Sequence, residues 1–201
     1  WAARNLKKHK CQTVLEFGCG IGYGADLLKK KGYDVTAVDN SKTAIEFAKS
    51  NFSGIDFILG DSENFQPKKR FDAVVALEHI EHLEHYHQAL NNWRNSIKKG
   101  GILLISTPNV AITSKGQNPH HFKEFVYDEL VELFNNAEIT GTKLDPKRQA
   151  TWIRAIAKTI SMFGKSKFRQ YWFLTKIERI IKVPAHIVQE KFKVFLVKEI
   201  Q

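Results

Sequence analysis

The run Val14-Leu-Glu-Phe-Gly-Cys-Gly-Ile-Gly-Tyr-Gly24 constrains this chain more than any other stretch. An apolar strand breaks into a turn with glycine at 18, 20, 22 and 24, and a helical pattern follows from Tyr23 to Lys31. Glycine in ordered structure costs about 0.5 to 1 kcal/mol relative to alanine, so such a density signals positive φ angles or a close approach to the backbone. A strand, glycine turn and helix in that order also aim free N–H groups and a positive dipole end at an anionic group. The pattern reads as a nucleotide-type cofactor turn in an α/β protein.

The turn alone leaves the cofactor open. Read from Gly20, it also satisfies the dinucleotide spacing G-x-G-x-x-G/A through Ala25. Asp39, closing the apolar run Asp34-Val-Thr-Ala-Val, suits a ribose diol in either a dinucleotide or an adenosine cofactor. Asn40 or Ser41 beside it can also cap a helix over Lys42 to Ser50. The wider pattern narrows the choice: Glu16 inside the first strand, a third strand ending in Gly60-Asp61-Ser62, and a fourth, Phe71 to Leu77, ending at Glu78.

With these four strand ends, the chain resembles the class I S-adenosylmethionine-dependent methyltransferases over roughly its first two thirds, and Ile102 to Asn109 fits as strand five. The resemblance implies a Rossmann-like, doubly wound α/β fold with a seven-stranded sheet, mostly parallel with an antiparallel last strand. It implies S-adenosylmethionine as cofactor, leaving as S-adenosylhomocysteine (SAH). Glu16, Gly18, Cys19, Gly20, Gly22 and Tyr23 then form the cofactor turn, and Asp39 with Asn40 meets the ribose. Asp61 meets the adenine amino group, with Ser62, Leu77 and Glu78 flanking the ligand. Asp61 sits in Gly-Asp-Ser, which is also an ordinary turn sequence. The segments Ala76 to Leu83 and Asn118 to Phe125 are similar to a subgroup acting on small hydroxylated molecules, quinone precursors and glycans.

Strands are expected near 12–17, 34–39, 55–60, 72–78 and 101–106, with a sixth over Glu138 to Leu144 and a seventh over Phe192 to Lys198. One domain of 201 residues is the simplest count, since 43% hydrophobic content supplies one sizeable core. No repeat, low-complexity segment or membrane-length apolar run is present. Cys11 and Cys19 form neither a disulfide framework nor a zinc pattern, which fits a reduced, cytoplasmic compartment, with Cys19 a small residue packed under the turn. The chain opens on Trp1, so the sequence is no guide to a preceding segment.

The formal charge of +10 is unevenly spread. Residues 1–140 carry 17 basic and 17 acidic side chains, whereas residues 141–201 carry 14 and 4. Residues 146–190 are expected to form a basic helical insertion between strands six and seven. Trp152, Ile153, Ile156, Ile160 and Phe163 lie on one side of a first helix, and Tyr171, Trp172 and Phe173 mark a second that Pro184 stops. Such an element packs on the sheet, covers the substrate as a lid, or docks on an anionic membrane surface or RNA.

On the acceptor side, methyl transfer chiefly needs the nucleophile held in line, and a hydroxyl acceptor must also lose its proton. Histidine is the expected base: His82 first, then His121 and His120, all beyond the carboxyl ends of strands four and five. His85 and His87, beside Tyr86 at a helix start, read as surface residues. Glu78, Glu81 and His82, at spacing i, i+3 and i+4, come together if that turn is helical, and His121 could complete a metal site. This set resembles the Glu-x-x-Glu-His of small-RNA 2′-O-methyltransferases; metal-free members carry the same residues, and the expectation is that none is bound. The leading reading is O-methylation of a small hydroxylated metabolite, lipid-linked precursor or glycan. A metal-assisted RNA 2′-O-methyltransferase and a non-catalytic docking module are the alternatives.

Overall fold

The computed structural model describes residues 1–110, 120–142 and 194–201. Along the chain these form α1 (Ala2–Lys8), β1 (Thr13–Phe17), α2 (Tyr23–Lys30), β2 (Asp34–Asp39), α3 (Lys42–Asn51), β3 (Asp56–Leu59) and β4 (Phe71–Leu77). A 3-10 turn (Ile80–His82), α4 (Tyr86–Asn95), β5 (Ile97–Pro108), α5 (Tyr127–Leu133), β6 (Glu138–Thr142) and β7 (Val194–Ile200) follow. The seven strands make one sheet in the order β3-β2-β1-β4-β5-β7-β6. Pairings from β3 to β5 are parallel, and β7 runs antiparallel to both β5 and β6. The doubly wound, seven-stranded architecture is therefore as the sequence implied. The insertion expected at 146–190 lies outside the described residues.

Period-two side-chain alternation divides the core between the two faces of the sheet. On one face Leu15, Phe17, Val74, Ala76, Leu103 and Ile105 pack with Leu90 and Trp93 of α4 and Leu130 of α5. On the other, Val14, Ala73, Val75, Ile102 and Leu104 pack with Leu6 of α1, Leu28 of α2, and Ile45 and Ala48 of α3. Burial on both faces is why the central strands are almost wholly apolar.

Two elements depart from expectation. Helix α1 was not read from the sequence; Leu6, completely buried, anchors it. Strand β5 begins at Ile97 rather than 101, because a register shift between Phe71 and Ala73 absorbs the basic, glycine-containing stretch Lys98 to Gly101. At the bulge Gly101 has no room for a side chain, since a Cβ there would stand 2.6 Å from the Asp72 carbonyl oxygen. Asp72 ties the strand starts together, accepting from the backbone N–H groups of Gln12 at 2.9 Å and Thr13 at 2.8 Å and from Lys98 Nζ at 2.8 Å. Burial opposes ionisation of this carboxyl, but these donors hold it well below the usual carboxylate range.

Candidate active site

The parallel strands β1 to β4 all deliver their carboxyl ends to one edge, and the glycine turn lies there after β1. Gly18, Gly20 and Gly22 have φ angles of 66°, 54° and 88°, the left-handed region that side chains disfavour. Asp39, at the end of neighbouring β2, clamps the turn. Its Oδ2 accepts the Gly20 N–H at 2.7 Å, and its Oδ1 accepts the Ser41 N–H at 2.9 Å. Cys19 N–H donates to the Val38 carbonyl at 3.1 Å. Of the two cap candidates, Ser41 caps α3, its Oγ accepting from Ala44 N–H at 3.3 Å, while Asn40 is exposed.

At two of the glycines the space is taken by the protein itself. A Cβ on Gly18 would stand 2.4 Å from His79 Nδ1, and one on Gly22 would stand 2.8 Å from Phe57 Cζ. The close approach at these two glycines is therefore by the protein's own side chains.

Beneath the turn, Glu16 is 3% exposed and its Oε2 has no hydrogen-bond partner among the described residues. Burial, with the charge of Asp39 added, pushes its carboxyl up to about 8. Cys19 is buried as expected, its thiol directed to the Gly20 carbonyl and its ionisation strongly opposed by burial. Tyr23, at the start of α2, is exposed and meets Phe52 edge-on.

Beyond β3, the Asp61 carboxylate serves a local turn, accepting from Glu63 N–H at 2.9 Å and Asn64 Nδ2 at 2.7 Å. Ser62 turns inward: its Oγ lies 2.7 Å from His79 Nε2, and its carbonyl accepts from Trp93 Nε1 at 3.1 Å. The His79 ring stacks on Trp93 at 6.0 Å, and Trp93 stacks on Phe17 at 5.4 Å. Burial, then the nearby His82, lowers the His79 pKa to about 4, so this imidazole is neutral at neutral pH. His79 thus joins the glycine turn to the loop after β3.

After β4, Glu78 follows half-buried Leu77 and adopts φ 51°, unusual for a residue with a side chain. Ser106 holds it there, accepting its N–H at the carbonyl, 2.9 Å, and donating Oγ–H to Glu78 Oε1 at 2.7 Å. Burial raises the Glu78 carboxyl to about 7 despite the Ser106 bond. Glu81 is 1% exposed, accepts Thr107 Oγ1–H at 3.0 Å, and is raised well above the ordinary carboxylate range by burial and then by Glu78.

His82 lies beside Glu81, with Nδ1 2.8 Å from the His120 carbonyl. That contact requires Nδ1 to carry the proton, so Nε2 is the basic atom. Burial lowers its pKa, and His121 adds to that lowering. The His121 ring meets His82 edge-on at 4.8 Å, and its Nδ1 is 3.0 Å from Glu124 Oε1. Ligand atoms of Glu81, His82 and His121 all lie within 4.8 Å of one another. Glu78 is not part of that group. His120 is exposed and reaches the cluster through its carbonyl, while His85 and His87 are exposed, the latter against Tyr86.

A family model described as a methyltransferase domain matches residues 2–172. The chain belongs to this methyltransferase family. Among curated relatives, a probable S-adenosylmethionine-dependent methyltransferase of Mycolicibacterium smegmatis is 34% identical over 136 residues, covering 64% of this chain and 53% of the relative. A ubiquinone biosynthesis O-methyltransferase of Rickettsia felis is 38% identical over 159 residues, covering 67% and 65%. The chain spans about half the length of the first curated relatives it matches. Among solved structures, the plantazolicin methyltransferase BpumL in complex with a triazolic desmethylPZN analog and SAH shares the fold, with TM-score 0.66, 16% identity, and 100% of this chain and 83% of that chain covered.

The residues of this methyltransferase chain fit the cofactor of its family. Glu16 Oε2 is a buried acceptor awaiting a donor, and each Asp39 oxygen accepts one backbone bond while keeping a second lone pair for a diol. His79, to which the sequence assigns no role, fills the space beside Gly18 and bonds Ser62. Its signal lay in the glycine at 18, which must yield space to another group, but the sequence does not say which group. Among the described residues no helix is long and apolar enough to cross a membrane.

Proposed function

We propose that this chain transfers a methyl group from S-adenosylmethionine to a hydroxyl oxygen of a small molecule, a quinone precursor or glycan being the favoured class. The observation that carries the proposal is His82 Nε2, left basic by the bond from Nδ1 to the His120 carbonyl and placed past the end of β4. The cofactor when bound supplies a sulfonium methyl whose leaving group needs no protonation. Turn residues Gly18 to Gly22 and Asp39 would hold its ribose and amino-acid parts, and Glu16 its ammonium group. His82, kept neutral by its lowered pKa, would take the acceptor's proton as the oxygen–methyl bond forms. His121 would orient His82 through their edge-on contact. Relatives named as ubiquinone biosynthesis O-methyltransferases support oxygen as the acceptor atom. The test is calorimetric titration with SAH followed by labelled-methyl transfer to a panel of phenols and glycans. No SAH binding, or transfer only to nitrogen or carbon acceptors, removes the reading.

One observation favours a second reading. Glu81, His82 and His121 converge, and both imidazoles spend their other nitrogen on an oxygen partner, the arrangement that orients histidine ligands. A divalent cation held by these three, with Glu78 nearby, would orient vicinal hydroxyls such as those of an RNA 3′ ribose. Metal analysis of purified protein and methyl transfer to RNA with and without chelator decide between the two. Indifference to chelator and unlabelled RNA would leave the first reading standing.

A further inference from the structure

Strand topology sorts the charges of this chain by edge. Carboxyl groups collect at the end that holds the glycine turn, where Asp39, Asp61, Glu63, Glu78, Glu81 and Glu84 follow β2, β3 and β4 beside Lys42. The opposite, amino edge is basic. Lys7, Lys8 and Lys10 precede β1, Lys29 to Lys31 end α2, Lys68 to Arg70 precede β4, and Lys98 and Lys99 lie at the start of β5. Asp34, Asp56 and Asp72 at strand starts, with Glu138 where β6 begins and Glu199 where antiparallel β7 ends, are the acids at this edge, the last two paired with Lys198 and Arg94. Residues 1–140 balance at 17 basic and 17 acidic side chains, so the basic edge is offset by carboxyl groups elsewhere in the same stretch.

Helix-dipole stabilisation accounts for some of these lysines, since Lys7, Lys8, Lys29 and Lys30 occupy the last turns of α1 and α2. It does not account for Lys10, Lys31, the run Lys68 to Arg70 or the pair Lys98 and Lys99, which lie in turns and at a strand start. All of these are exposed. Lys69 and Lys98 pair with Asp34 at 3.7 Å and Asp72 at 2.8 Å. The others carry no ion pair among the described residues.

We propose that this amino edge is a docking face for an anionic lipid bilayer. Four adjacent strand starts, β2, β1, β4 and β5, at about 4.8 Å spacing spread the charge along a rim roughly 15 Å wide, which suits a planar surface. All but Arg70 are lysines, point charges that need no fixed partner geometry. Base stacking, the main sequence-tolerant contact with single-stranded nucleic acid, is limited at this edge to the half-buried ring of Tyr33 beside Lys10 and Lys31. Tyr33 donates its hydroxyl to the Ala3 carbonyl, and Phe71 is buried under Lys69. Docking through this edge leaves the glycine turn and His82 facing away from the lipid, open to a water-borne acceptor.

The test is co-sedimentation of the full chain with phosphatidylcholine vesicles, with and without about one third phosphatidylserine, in low and high salt. The expected result is binding only to the phosphatidylserine vesicles, lost in high salt. The combined variant Lys31→Gln, Lys68→Gln, Arg70→Gln, Lys99→Gln should bind them at least about a hundredfold more weakly, since each charge strengthens binding roughly fivefold. These residues lie across the sheet from the glycine turn, so SAH affinity and thermal midpoint should stay unchanged. Equal partition to both vesicle types, or undiminished binding by the variant, overturns the proposal. So does binding of single-stranded RNA at the same salt with no binding to vesicles, which would assign the edge to nucleic acid.

Discussion

The two halves of the site edge are built by different means. Around β1 and β2, backbone and short-range turn chemistry dominate: glycines with positive φ, Asp39 bonded to two N–H groups, and Ser41 capping α3. Around β4 and β5, buried titratable side chains dominate, with Glu78, Glu81 and His82 shifted by burial and held by Ser106, Thr107 and the His120 carbonyl. The first half sets a shape and the second a protonation state. Substitutions in the first should act on cofactor affinity, and those in the second on turnover.

The sharpest test of that division is Gly20→Val. A β-branched residue at φ 54° is strained, and a displaced Gly20 N–H leaves the Asp39 clamp. SAH affinity measured by calorimetry should fall by more than about a hundredfold; micromolar binding retained would break the assignment of shape to the turn. His82→Ala should slow turnover of any accepted substrate by about a hundredfold while SAH affinity stays within about twofold. A matching fall in affinity would erase the contrast between the halves.

Glu16 gives a pH signature. Its folded pKa of about 8 means that the buried carboxyl is protonated below that pH, and pairing with an ammonium group requires the carboxylate. Cofactor affinity should therefore rise by up to about tenfold per pH unit toward 8 and level off above it. Stability has the opposite sign. Unfolding releases the proton between the ordinary carboxylate pKa and 8, so this group's contribution falls as pH rises through that window. Glu16→Gln should flatten both profiles; an unchanged affinity profile would move the ammonium site elsewhere. The smallest effect is expected at His79. His79→Ala should weaken SAH binding by about tenfold, and His79→Gln, which can still bond the Ser62 hydroxyl, should recover part of it. Equal losses in the two variants would show that ring packing, rather than the bond, positions the turn.

The same contrast explains what could be read in advance. Strands such as Asp34–Asp39 and Phe71–Leu77 announce themselves because a strand buried on both faces must be an apolar run. The glycine turn is legible because each of its residues answers to its own φ. Lys98 to Gly101 misleads for the complementary reason: basic and glycine residues mark a turn, yet the pairing of Ile97 with Phe71 and the bulge that follows carry them into β5. On the acceptor side, sequence spacing groups Glu78 with Glu81 and His82, but the cluster holds only the latter two of these. Their company with His121 depends on Phe122 N–H reaching the Glu81 carbonyl at 2.9 Å, a contact no local pattern encodes. Asp61 is intermediate, serving the ordinary turn that its sequence also allowed.

The Asp39 clamp also bears on rates. Its bonds to Gly20 and Ser41 are made within the chain, so the turn owes its shape to no ligand and has little conformational entropy left to lose on binding. Association of SAH should then proceed in a single phase without a slow rearrangement. Asp39→Asn, which weakens the clamp and a ribose acceptor together, should shorten the residence time of the complex more than it slows its formation.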